Sequence, residues 1–119
     1  MAPLPLIQLD MLAVLDLQPE PSKLELLRSH RWSHGATVEL PLVSIELVEH
    51  GGAWMWAANL NSANGSGYSY KPLPKWGRFA QSKAEALERA ADEVRGFTHR
   101  ATKAEQERIG AWLGVILSR

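Results

Sequence analysis

The chain has 119 residues, balanced charge and no cysteine, which excludes a disulfide framework, thiol chemistry and a Cys-based zinc site. Its length fits a single domain over residues 1–119, with a core that needs no covalent staple, since staples become necessary only below about 40 residues. The charge is unevenly spread, because residues 1–50 carry seven acids and three bases while residues 51–119 carry six acids and ten bases, and this permits a basic face.

Residues 1–21 read as an arm, rich in leucine between Pro3/Pro5 and Pro19/Pro21. Its spacing fits two templates. Ile7, Leu9, Met11, Ala13, Leu15 and Leu17 alternate as in a strand, whereas Leu4, Ile7, Met11, Val14 and Leu15 would line a helix. The arm is expected to dock on the body or, failing that, to bind a partner, since so much exposed leucine is an association site. Gln8, Asp10 and Asp16 interrupt the run, and it lacks the basic start and small-residue cleavage site of a signal peptide. The run from Ile109 to Leu117 is too short to cross a membrane. A cytoplasmic location without a membrane partner is therefore expected.

A helix is expected over 22–35. Ser22 with Glu25 has the form of a capping box, Leu24, Leu27 and Arg31 then share a side, and Gly35 is a stop. Antiparallel strands are expected over 42–80. Val43, Ile45 and Leu47 alternate with Ser44, Glu46 and Val48, and His50-Gly51-Gly52 is turn chemistry. The chain returns through Ala53-Trp54-Met55-Trp56-Ala57. Pro41 must precede the paired region or sit on an edge, because it cannot donate to a ladder. A polar loop, Asn59 to Gly67, leads to a third strand around Tyr68 to Lys71, which Trp76 to Ala80 could resume after Pro72-Leu73-Pro74.

Two helices are expected over 82–118. Ser82/Glu85 and Thr102/Glu105 are further capping boxes. Leu87, Ala90, Ala91 and Val94 form one apolar stripe, closed by Gly96, and Ile109, Trp112, Leu113 and Ile116 form another. Gly110 and Gly114 make a flat strip that could serve internal packing or a homodimer through the C-terminal helix. The expected class is α+β: a three- or four-stranded antiparallel sheet packed by the C-terminal helices, with an N-terminal arm and short helix.

Residues 43–95 give a strand, a Gly-Gly turn, an aromatic strand and a short strand that ends in Phe79-Ala80-Gln81-Ser82-Lys83-Ala84-Glu85-Ala86-Leu87-Glu88-Arg89-Ala90. This resembles the β-β-β-α unit of HicB-like antitoxin domains, which share a double-stranded-RNA-binding-like topology. The resemblance implies that topology and, more remotely, a regulator that neutralises a protein partner. The family's compact Pro-x-Leu-Pro-Gly turn is here Pro72-Leu73-Pro74-Lys75-Trp76. The overall style is also similar to that of small plasmid- or phage-borne proteins, among which regulators and inhibitors of host enzymes are common.

The candidate binding residues are aromatic and basic. Trp54 and Trp56 share a strand face, as do Tyr68 and Tyr70, and Lys71, Lys75, Trp76 and Arg78 follow. Three bases and no acid lie between Ser66 and Ser82. Flat rings beside cations suit single-stranded or distorted nucleic acid, where a stacked base is worth about 1–3 kcal/mol. They equally suit a protein hot spot, and Trp54 and Trp56 could instead be core beneath the helices. His30 and His34 have helical ligand spacing but no third partner, which favours plain surface histidines. Asn64-Gly65-Ser66-Gly67 lacks the lysine ending of a phosphate loop, and no nucleophile elbow is present. The sequence thus points to a non-enzymatic accessory or regulatory protein without metal or cofactor, binding nucleic acid or, alternatively, a protein partner.

Overall fold

A computed structural model describes residues 22–118. Four strands, β1 (Ser22–Arg31), β2 (Thr37–His50), β3 (Ala53–Asn61) and β4 (Gly67–Tyr68), form an antiparallel sheet in that order. Helices α1 (Lys83–Phe97) and α2 (Lys103–Leu117) follow. The protein is α+β, with the core between the helices and one sheet face. Val43, Ile45 and Leu47 of β2 pair with Leu60, Ala58 and Trp56 of β3, and all six side chains enter this core. Ala86, Ala90 and Ala91 of α1 are fully buried, so small side chains let that helix lie close over the sheet.

The expected helix over 22–35 is instead strand β1 and the loop that follows it. Its buried and exposed residues alternate strictly, with Leu24, Leu26 and Arg28 turned inward. The Ser22/Glu25 pair caps nothing, because Leu24 and Leu26 follow a period of two and β1 gains its ladder from β2. Pro41 lies inside β2, opposite Leu27, and Leu42 is an extra residue there, since Leu26 faces Val43. The β2–β3 ladder begins only at Val43. Pro41 is thus tolerated at a bulge ahead of that ladder, where its missing N–H breaks no central pairing.

Among the described residues, 27–41 consequently form a two-stranded ribbon with no third strand beside it. Its base is pinned by Arg28 Nε donating to the Asn61 carbonyl at 2.7 Å and Arg108 Nη2 donating to the Leu27 carbonyl at 2.6 Å. Beyond the base, residues 31–39 are all exposed.

The two-residue turn Gly51-Gly52 joins β2 to β3 with φ of 61° and 86°, both left-handed, which is why glycine occupies both positions. Ser82 Oγ accepts from the Glu85 amide at the start of α1, and Thr102 with Glu105 forms a complete capping box at the start of α2. α1 does not stop at Gly96 but runs to Phe97 and tightens into a short 3-10 turn, Thr98–Arg100. Gly110 and Gly114 meet no atom within 4 Å of where a Cβ would stand, and their strip faces outward beside the exposed Val115.

Candidate nucleic-acid interface

The eight candidate residues divide into two groups. Trp54, Trp56, Tyr70 and Arg78 turn towards the helices. Trp56 is only 8% exposed and belongs to the core, and Trp54 packs against it, with Lys83 Nζ 5.5 Å from its ring. Tyr70 and Arg78, together with the Trp56 indole, converge on Glu93 at the flank of the buried stripe of α1. Tyr70 Oη donates to the Glu93 carboxylate at 2.5 Å, Trp56 Nε1 donates to it at 3.2 Å, and Arg78 forms an ion pair with it. The Arg78 guanidinium also lies over both rings, 4.9 Å from Trp56 and 5.2 Å from Tyr70.

This cluster clamps the 69–80 segment to the sheet and to α1. Burial first, and then the adjacent Glu93, push the Tyr70 phenol well above its usual range. Burial alone would lower the Arg78 value, but the Glu93 carboxylate outweighs it and the guanidinium is held more firmly charged. An arginine and two rings committed to one carboxylate are tied to the fold.

The second group faces solvent. Trp76 is half exposed and sits on the 3-10 turn Pro74–Trp76, closed by Gly77 in the left-handed conformation. Its indole Nε1 donates to the Lys71 carbonyl at 3.0 Å, and Lys75 Nζ lies 5.1 Å from its ring. The ring is therefore fixed in orientation while remaining accessible. Lys71 and Lys75 are exposed. Tyr68 is 39% exposed, with one side against Phe97 and its edge against Tyr70.

Beside this turn lies an open trough of about 610 Å³, whose lining includes Lys23 of β1, Ser44 and Glu46 of β2, Asn59 of β3, and Tyr68 and Lys71. Asn59 binds Ser44 Oγ at 3.1 Å and accepts from the Tyr70 amide at 2.9 Å, which fastens the trough wall to the sheet. Lys23 is 3.6 Å from Glu25. The trough mixes polar and apolar side chains, Lys23, Ser44, Glu46 and Asn59 beside Leu60 and Tyr68, and Lys71 links it to the turn through the hydrogen bond from Trp76.

Two contributors carried a faint sequence signal. Glu93 follows Ala90 by three residues and precedes Val94, so a helical reading of α1 puts a carboxylate at the border of the buried face, where it needs partners. Lys23 is displayed outward by the period-two pattern of β1, which a helical reading hides. His30 and His34 lie on β1 and its loop, so the helical spacing of a ligand pair does not arise. His30 instead packs edge-on against Trp32. Among the described residues no three His, Asp or Glu side chains come together as metal ligands, and no helix is long and apolar enough to cross a membrane. No family model, curated protein or solved structure matches the chain.

Proposed function

We propose that the protein is a non-catalytic accessory protein that holds single-stranded or distorted nucleic acid along the trough and the turn beside it, largely without reading sequence. One observation carries the reading: Trp76 presents a half-exposed ring, locked by its hydrogen bond to Lys71 and flanked by Lys71 and Lys75. A fixed ring loses little freedom when a base stacks on it, and neighbouring ammonium groups meet the phosphates on either side. Tyr68 offers a second, smaller platform, and Lys23 a cation across the trough. Trp54, Trp56, Tyr70 and Arg78 form the support of this surface and not its contact layer.

The test is titration of the full chain with a fluorescent oligothymidine, read by anisotropy and by tryptophan quenching. Binding should weaken with salt with a log–log slope of about −2, as three lysine–phosphate contacts on a single strand give. Trp76→Ala should abolish most of the quenching. Absence of binding at low salt removes the proposal.

A second reading has its own observation. The ribbon of residues 27–41 displays Leu27, Trp32 and Val38, each at least 36% exposed. Projecting apolar side chains with a tryptophan are what a protein-binding regulator of mobile-element origin, HicB-like or an inhibitor of a host enzyme, would use. It predicts a co-purifying protein that Trp32→Ala releases and nuclease does not.

A further inference from the structure

A second groove, of about 640 Å³, opens where β1 begins. Its apolar floor includes Leu24, Leu87 and Leu117, all part-buried, and its rim carries Lys23, Lys83 and Glu88. Ser22, the first described residue, also lines it, so the chain that precedes Ser22 enters at the mouth of this groove.

We infer that the groove is the dock for the chain's own residues Leu4–Leu17. Three observations fix this occupant. The first is reach: only the short link 18–21 separates the leucine-rich stretch from a residue in the groove wall, so the two are held at high effective concentration and docking incurs little of the entropy of a bimolecular encounter. The second is chemistry. The stretch supplies a leucine, isoleucine or methionine at almost every second or third position, and the groove supplies leucines that the helices and sheet leave incompletely covered. The third is charge. Residues 1–21 contain three acids, Asp10, Asp16 and Glu20, and no base, while the rim has two lysines to one glutamate. The Lys83 ammonium lies 5.5 Å from the Trp54 ring and the Lys23 ammonium 3.6 Å from Glu25, so each positive head group is held at the rim.

Docking covers apolar surface at the β1 edge of the sheet, an edge whose outward row of backbone groups pairs with no strand among the described residues. It also draws the acidic stretch against Lys23, which the trough shares with this groove. The arm then competes with phosphate for that one lysine.

The test uses the full chain. Because the protein has no cysteine, Glu88→Cys gives a single site for a nitroxide on the exposed rim. With the label on the ¹⁵N-labelled chain itself, the amides of residues 4–17 should lose most of their intensity. With the label on an unlabelled copy mixed with unmodified ¹⁵N chain, they should not. A charge series supplies the second readout: Lys23→Glu with Lys83→Glu should restore the lost intensity, and adding Asp10→Lys with Asp16→Lys should abolish it again. Intact amide signals with the intramolecular label overturn the inference. Comparable loss in the mixed sample also overturns it, and assigns the groove to residues 4–17 of a second copy.

Discussion

Tyr70 and Trp76 lie six residues apart in the same basic, proline-interrupted segment, yet one is tied to α1 in a part-buried site and the other stands half in solvent. The difference arises from what each finds across the fold. The Tyr70 hydroxyl reaches a carboxylate that Trp56 and Arg78 already share, so the four groups satisfy one another in a part-buried site. The Trp76 indole finds only a local carbonyl, Lys71, five residues back, and its apolar area stays outside. Aromatic and basic composition therefore defines a surface only after each side chain's long-range partner is known.

The comparison is broken most severely by removing its hub. Glu93→Ala leaves a guanidinium, a phenol and an indole N–H without their shared acceptor, and should destabilise the fold by about 2–3 kcal/mol. In thermal unfolding that corresponds to a fall of roughly 10 °C for a chain of this size. Trp76→Ala is the counterpart on the exposed side. It should leave unfolding unchanged within about 0.5 kcal/mol while weakening oligothymidine binding by about 1–3 kcal/mol, or roughly 5- to 150-fold.

Two pH effects sharpen the contrast. The Tyr70 phenol is raised in the folded state, so its contribution is complete below the ordinary tyrosine value of 10.0 and is lost as pH rises beyond it. Denaturation midpoints should fall in that alkaline range, and Tyr70→Phe should flatten the slope. Glu105 behaves oppositely. Burial would raise its carboxyl, but hydrogen bonds from Ser62, the Thr102 and Ala63 amides and the Thr102 hydroxyl hold it below the ordinary 4.5. Its contribution is present above that value and is lost as pH falls below it, and Glu105→Gln should flatten that acid limb. The smallest effect belongs to Lys75→Ala, which should leave stability unchanged and make the salt slope of binding shallower by about 0.7, one phosphate contact.

Much of the architecture was legible in short-range chemistry. The Gly51-Gly52 turn, the alternation over Val43–Val48 and the caps at Ser82 and Thr102 depend on neighbours a few residues away, and all stand where the pattern puts them. The local pattern of β1 is ambiguous, because Ser22-Lys23-Leu24-Glu25-Leu26-Leu27 satisfies both periods: adjacent leucines at 26 and 27 serve a helix stripe as well as a strand face. Pairing with β2 decides between them, and that lies beyond any local window. The site was legible in its residue types but not in its orientation. Nothing near Tyr70 or Arg78 in the chain announces Glu93, which tertiary packing alone delivers. The expectations for residues 1–21 as an element fall outside the described residues.

The unsupported ribbon has a consequence for how the molecule opens. Among the described residues its cross-strand amides have neither a third strand nor a covering helix, so they should exchange with deuterium through local fraying that never breaches the core. Protection should step up sharply at Leu26 and Val43, just inside the Pro41–Leu42 irregularity, where Arg28 and Arg108 fasten the base. The sheet thus holds two cooperative units within one pair of strands. The outer one should open and be nicked by protease first, while the inner one keeps the trough in shape.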